Sequence, residues 1–286
     1  MKIACIFNAD REDTTGIYIV RACRALGAVV DHWWLCDVGK IRRDYDLYFR
    51  IDHGDDYFVP LPAVLRPAIF YVFDTHLPHS WKKIRRVSPE YDLMVCCHRN
   101  ATKHLANALW LPVACDPEIH GSQAAATQDL DVAFVGTNGG VPRKFYLQAL
   151  RERYPKHFIG AADFREMSSI YSRAKIGFNY SIANDVNMRL FEAMAAGALL
   201  VTNVLKSNDL TELGLHDRRH LVLYRKPEEL FETIDYYLLH SEERLKIAQA
   251  GCALVKEKHT YLERMRQLLR CLEERSLLKP DSVKVK

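Results

Sequence analysis

The sequence predicts an α/β protein of two domains, each built on a parallel, doubly wound sheet. Three observations carry this. The chain has 286 residues, against about 150 for a typical domain. Short apolar runs alternate with helical segments through both halves, as crossover connections between parallel strands require. Between the halves, residues 121–129 run without a large apolar side chain, which marks a linker.

In the first half, Lys2 to Phe7 reads as a buried strand. Asn8 to Thr15 is a polar loop, and Gly16 to Leu26 a helix stopped by Gly27. Further strands are expected at Val29 to Leu35, Asp46 to Ile51, Ala68 to Phe73 and Leu93 to Cys97. The second half repeats the alternation. Strands at Leu130 to Val135, His157 to Ile159 and Lys175 to Asn179 are separated by helices at Pro142 to Arg153 and Arg165 to Ser172. His220 to Tyr224 reads as the last strand. From Pro227 the chain is helical, with Ser241 as a cap and a final helix from Tyr261 to Leu278; Lys279 to Lys286 reads as a tail. The resulting domains are 1–120 and 130–260, followed by the helix and tail 261–286.

Hydrophobic residues make up 49% and charged residues 27%, an ordinary globular composition. Basic residues exceed acidic ones by four (40 against 36). That excess suits an anionic small ligand and is too small to argue for nucleic acid. The eight cysteines form no C-x-x-C pair and read as reduced core residues of a cytoplasmic protein. The apolar run at the N-terminus is too short for a signal segment, and nowhere do about eighteen apolar residues run together.

Asn187 to Asn203 compresses a loop, a short helix, a glycine stop and a buried strand into one stretch. Asn187 is a suitable N-cap, Gly197 sits where a left-handed C-cap is wanted, and Leu199 to Val201 form the strand. Glu192 stands one turn inside the helix among Phe191, Ala193, Met194 and Ala195, so a buried acid needs a partner. Either it pairs with Arg189 three residues earlier, leaving an ordinary core helix, or it meets the hydroxyls of a ligand.

Val135 to Lys144 is a second candidate. It is a strand end, a turn carrying Gly136, Thr137, Asn138, Gly139 and Gly140, and a helix start with Pro142 at its first position. Glycines let the backbone approach a ligand, and helix-terminal amides favour a phosphate. Arg143 and Lys144 lie in the first turn, where cations oppose the helix dipole, so their placement calls for an anion. The alternative is a plain strand-helix connection.

The segment Asn187-Met188-Arg189-Leu190-Phe191-Glu192-Ala193 with its following Gly197 resembles the "NMRxFEAxAxG" signature of GT-B glycosyltransferases, in the group 1 or family 4-like branch of spore-maturation type. The resemblance implies two Rossmann-like domains facing a central cleft, with the last helix crossing back to the first domain. It implies a nucleoside-diphosphate sugar of UDP or GDP type as donor, no cofactor, no metal, and retention of configuration. Glu192 would hold ribose, Arg143 and Lys144 the diphosphate together with the 136–139 turn and the Asn187 helix N-terminus, and Met188 and Arg189 would also bind the donor. Gly160 and Ala161, with Phe164, would meet the base. The larger family carries E-x7-E, and here Asn184 stands eight residues before Glu192, with Asp185 beside it, so the contact to the donor sugar at that place would be an uncharged amide.

In the first domain, polar strand ends occur at Asn8 to Asp13, at Arg50 to Asp56 and at Asp74 to His79. Related transferases place a histidine near the last of these against the donor sugar, which makes His76 and Asp74 catalytic candidates. Asp74 as a helix cap beside an exposed His76 is the plain reading. A metal at Asp52, His53, Asp55, Asp56, Asp74, His76 and His79 fits by residue type, but the family uses protein cations instead. Trp81 to Arg86 reads as a solvated helix face or as a membrane-surface helix at the inner face of the membrane. Trp33, Trp34, Tyr45, Tyr48 and Tyr57 suit either carbohydrate stacking or a strand core.

The expected activity is transfer of a sugar to an acceptor such as a glycan, a lipid-linked sugar or a protein. An epimerase or hydrolase on the same fold, and a non-catalytic nucleotide-sugar binder, are the alternatives. Oligomeric state is open.

Overall fold

The computed structural model describes residues 1–52, 59–122 and 127–280. His53, Asp55, Asp56 and Tyr57, part of the expected linker and most of the expected tail lie outside the described residues. The chain divides into two compact units, Met1–Val113 with Tyr261–Lys286, and Ala114–Thr260.

The first unit holds β1 (Lys2–Ile6), α1 (Thr15–Ala25), β2 (Val29–Trp33), β3 (Leu47–Ile51), β4 (Ala68–Val72), α2 (Pro78–Val87), β5 (Leu93–Cys96), the single turn α3 (Arg99–Thr102) and β6 (Ala108–Trp110). The strands form one parallel sheet in the order β2-β1-β3-β4-β5-β6. β3 and β4 are buried along their whole length, which is why they read as unbroken apolar runs. The exception is Arg50, 1% exposed, whose guanidinium lies 4.5 Å from the Phe70 ring centre and donates to Tyr91 Oη and Val59 O. β6 is a three-residue edge strand that the sequence reading lacks, because three residues offer no periodicity to detect.

The second unit contains the turn α4 (Pro117–His120), β7 (Leu130–Val135), α5 (Arg143–Arg153), β8 (His157–Gly160), α6 (Phe164–Ser172), β9 (Ala174–Asn179), α7 (Met188–Ala195), β10 (Leu199–Asn203), the turn α8 (Asp209–Glu212), β11 (Val222–Tyr224), α9 (Pro227–Leu239) and α10 (Ser241–Lys258). Its parallel sheet runs β11-β10-β9-β7-β8. The chain moves outward from β7 to β8, then returns to place β9 on the other side of β7. The order therefore reverses between β7 and β9, the position where such sheets open a ligand crevice at their carboxyl ends. α7 lies close over β9 because Gly177 leaves space: a Cβ there would sit 3.1 Å from Ala193 Cβ and 3.3 Å from Ala198 Cβ. α7 ends as expected. Gly197 has φ +91°, and the amides of Gly197 and Ala198 close back on Met194 O and Ala193 O.

The last helix, α11 (Tyr261–Glu274), belongs to the first unit. Tyr261 stacks on Tyr18 of α1 with ring centres 5.4 Å apart, and Met265, Leu268 and Leu272 are fully buried. Arg264, 1% exposed, donates from Nε to Pro112 O.

Some expectations shift. Pro142 is the N-cap of α5 and not its first helical residue, and Ser241 is the first residue of α10 with His240 before it. Cys36 is exposed, and Cys252 and Cys271 are half-buried, so not every cysteine is a core residue. Tyr45 and Tyr48 are buried in the first core and Trp33 packs against it, whereas Trp34 is exposed. α2 turns Ile84 and Val87 inward with Trp81 against the core, leaving Lys82, Arg85 and Arg86 to solvent. No helix among the described residues is long and apolar enough to cross a membrane.

Gly251, in the middle of α10, tests the packing against the segment before β11. A Cβ there would meet His220 O at 2.1 Å. Alanine is normally the better helix former by about 1 kcal/mol, yet Gly251→Ala is expected to destabilise by about 1–3 kcal/mol; a raised denaturation midpoint would contradict this contact.

Candidate functional site

The carboxyl ends of β7 and β9 are joined by one side chain. Arg189, the second residue of α7, donates from Nε to Val135 O at 2.8 Å and from Nη1 to Asn179 Oδ1 at 3.3 Å. Its guanidinium lies 4.3 Å from the centre of the Phe134 ring. Gly136 is required by this arrangement, because a Cβ there would stand 2.3 Å from Arg189 Nη2. The Gly136 backbone, at φ +142°, donates in turn to Gly160 O. Arg189 is therefore committed to the strand ends and is not the partner of Glu192.

The glycine-rich turn folds around a second guanidinium. Arg143 Nε donates to Asn138 O at 3.2 Å, and a Cβ on Gly139 (φ +62°) would collide with Arg143 Nη2. Arg143 lies 5.6 Å from the same Phe134 ring. Two guanidiniums thus share one aromatic ring at the point where the strand order reverses. Burial first, and then the like charge of Arg189, hold the pKa of Arg143 below its ordinary value, while the nearby Asp185 acts in the opposite direction. Thr137, Asn138 and Lys144 are exposed. Like charges held together in a partly dehydrated place are costly unless an anion joins them.

Glu192 is 7% exposed at its side chain and faces His120, with Oε1 3.7 Å from His120 Nε2. Tyr171 lies on the same side of α7. It accepts from Val135 N, and burial raises its hydroxyl pKa to about 12, with the Glu192 charge adding to the rise and Arg189 opposing it. Asn187 has N-cap backbone angles, but its side chain makes no capping bond and its Oδ1 is buried without a partner. Its backbone carbonyl accepts from Leu190 N at 3.3 Å instead. Met188 opens α7 half-buried. Gly160 ends β8 with open space above its Cα, Ala161 is exposed, and Phe164 carries the Arg165 guanidinium 4.7 Å over its ring.

Asn184 adopts φ +57°, and its Oδ1 accepts from Lys206 N at 2.8 Å. The neighbouring Ser181 and Asp185 are linked by two short bonds, with Ser181 N held by Asn203 Oδ1. Asparagine tolerates the left-handed region, and here its side chain ties the loop before α7 to the loop after β10.

In the first unit, Asp74 and His76 belong to a cluster at the carboxyl ends of β3, β4 and β5. Asp52, 6% exposed, accepts from Phe73 N at 2.9 Å. His76 meets His98 edge to face at 5.0 Å, and His98 Nδ1 is 2.8 Å from Thr75 Oγ1. Burial and then the Asp52 charge push the Asp74 carboxyl above its ordinary range, with His76 and His98 opposing. Asp74 does not cap α2; Leu77 is the N-cap, without a side-chain bond. Among the described residues no group of three or more His, Cys, Asp or Glu is arranged to hold a metal ion. His98 and His120 escape sequence reading: each is a lone histidine, and the side chains they face, Thr75 and His76 for the one and Glu192 for the other, lie more than twenty residues away.

The family model described as "Glycosyl transferase-like" matches residues 121–270, 150 of the 286 residues. The chain belongs to this glycosyl transferase-like family. No curated protein matches it. Among solved structures, Anabaena HepE in complex with UDP and glucose superposes with a TM-score of 0.73 at 11% identity, covering 96% of this chain and 100% of that one. An alpha-glucosyltransferase in complex with UDP-glucose and DNA containing an abasic site gives 0.69 at 10%, covering 95% and 99%. Sucrose-phosphate synthase from Thermosynechococcus elongatus gives 0.64 at 11%, covering 96% and 99%. At these identities the likeness is one of fold: two parallel-sheet α/β domains of the GT-B glycosyltransferase kind.

Two outcomes follow for this glycosyltransferase. Asn184→Ala is expected to cost about 1–2 kcal/mol through the lost acceptor and the left-handed backbone, and Asn184→Gly less, since glycine keeps the angle; equal denaturant midpoints for the two variants would contradict the backbone part. A raised folded-state pKa means that the native Asp74 binds a proton where the unfolded chain does not, so stability falls as pH rises through that window. Asp74→Asn is therefore expected to stabilise the protein at neutral pH and to lose that advantage below about pH 3.9. Chemical denaturation across that range checks it, and a gap independent of pH would rule it out.

Proposed function

We propose that the protein transfers a sugar from a nucleoside-diphosphate donor, with the diphosphate seated between Arg143, Arg189 and the start of α7. One observation carries this reading: two guanidiniums face the same ring, Phe134, at the strand-order reversal, and glycines at 136 and 139 make way for both. An anion of two linked phosphates matches the charge and the bidentate geometry of a guanidinium pair. The solved structures of similar fold that contain UDP or UDP-glucose support the class of donor.

In this reading the sequence belongs to the spore-maturation-type branch, Gly160, Ala161 and Phe164 lie against the base, and Glu192 holds ribose. During transfer the bond between the anomeric carbon and the diphosphate oxygen breaks, and the acceptor oxygen forms the new bond while its proton passes to a base or to the leaving diphosphate. Negative charge grows on the leaving group, and Arg143 with Arg189 stabilises it electrostatically, so the reaction proceeds without a metal. The family likeness favours retention. Asp74 and His76 are assigned to acid-base or sugar-contacting roles in turnover, so their variants are expected to lower kcat and spare UDP affinity. The acceptor is a glycan, a lipid-linked sugar or a protein.

A thermal-shift series with nucleosides, nucleoside diphosphates and their sugars, followed by turnover with and without added acceptor, tests the proposal. UDP or GDP is expected to raise the Tm and uridine or guanosine to do so far less. Arg143→Ala is expected to weaken the nucleoside diphosphate by about 10–100-fold, the worth of one or two charge-assisted bonds, with nucleoside affinity unchanged. Equal losses for nucleoside and diphosphate would place the phosphates elsewhere.

A further inference from the structure

His120 is 1% exposed and faces the one acid buried in α7. Its environment defines its protonation. The ring Nδ1 accepts the Asp116 backbone N–H at 3.0 Å, so the ring proton resides on Nε2. Nε2 is the atom that points at Glu192 Oε1, 3.7 Å away, beyond hydrogen-bond length in this state. The contact is thus a neutral donor aimed at a carboxylate and not an ion pair.

The mounting of the ring is firm. Asp116 caps α4 by accepting from Glu118 N, and the His120 amide closes the turn on Asp116 O at 2.7 Å. Asp116 follows Cys115, whose amide donates to His259 O. His259 packs against Phe191, the neighbour of Glu192 in α7. The histidine and the carboxylate are therefore tied to one framework, through backbone bonds at Asp116 and Cys115 and through the ring contact of His259 with Phe191. A carboxylate that grips two vicinal hydroxyls must present its oxygens in one fixed plane, and a donor aimed at one of those oxygens sets that plane.

We propose that His120 is a positioning residue for the ribose contact: its Nε2–H orients the Glu192 carboxylate toward the 2′- and 3′-hydroxyls of the donor nucleotide. The inference rests on the ribose reading of Glu192. Its consequence is specific, because His120 then acts on the hydroxyls alone and leaves base and diphosphate contacts untouched.

The test is the ratio of Kd for 2′,3′-dideoxy-UDP to Kd for UDP, measured by calorimetry on the full chain. His120→Asn keeps an acceptor for Asp116 N–H near the Nδ1 position and removes the donor at Nε2. His120→Gln places an amide donor near the Nε2 position. The Asn variant is expected to weaken UDP about tenfold, the worth of one hydrogen bond to a charged group, to leave dideoxy-UDP unchanged, and so to collapse the ratio; the Gln variant is expected to restore it. Equal weakening of both ligands, or an unchanged ratio in the Asn variant, overturns the inference. Glu192→Gln separates the two levels. If it collapses the ratio while His120→Asn does not, only the role of His120 falls; if it leaves the ratio intact, the ribose reading falls and the inference with it. Should the Asn variant not fold, the Gln variant alone decides: a collapsed ratio there, with dideoxy-UDP affinity kept, overturns the claim that an Nε2 donor suffices.

Discussion

The second unit is organised around the guanidinium of Arg189. A parallel sheet whose strand order reverses has a gap at its carboxyl ends, since the loops leaving the two central strands depart in opposite directions. Here that gap is bridged by one side chain reaching back from α7 to Val135 O and Asn179 Oδ1. Several other features become necessary once it is there. Position 136 must be glycine, Phe134 must offer a flat face, and Asn179 must be buried with its oxygen turned toward α7 and its amide nitrogen toward Thr202 Oγ1. Gly177 must be small so that α7 lies close enough for the reach. A lysine could not serve, because it has one donor group where the two strand ends need a fork.

The same commitment explains why the α7 environment is polar within an apolar shell. Arg189, Tyr171, Glu192 and His120 lie along the underside of α7, between the strand ends and α4. Fully satisfied, such a chain specifies one arrangement of α7; with one member missing, a buried group is left without compensation. The helix is only eight residues long and has no side-chain N-cap, so little of its placement comes from its own propensity. Packing on β9 and the polar underside hold it.

Much of this was legible in the sequence, in proportion to how local the cause was. Strands buried on both faces announced themselves as unbroken apolar runs, and Gly197 marked the end of α7 because the left-handed backbone there is a local demand. Arg189 and Glu192 were singled out as residues, but their partners were not. Their spacing allowed a pair within the helix as the alternative to a ligand, whereas each reaches a residue more than fifty positions away, and no pattern along one chain encodes such a meeting. Asn184 stood out as a departure from the family pattern, but the sequence could not show that its Oδ1 meets Lys206 N in the loop after β10. Lys144 looked equivalent to Arg143, yet only Arg143 folds back over Gly139 while Lys144 points to solvent; adjacent residues on a helix face about 100° apart.

α11 places the two ends of the described chain in one unit, with residues 114–260 inserted between them. During synthesis all six strands of the first unit precede the inserted unit, but the first unit's last helix is made only after the inserted unit is finished. Until Tyr261 and the residues behind it emerge, Tyr18 on α1 lacks the ring that stacks on it. The usual order, in which the N-terminal domain matures before its successor, does not apply in full here, because the first unit cannot finish its packing until the chain has passed through the whole of the second.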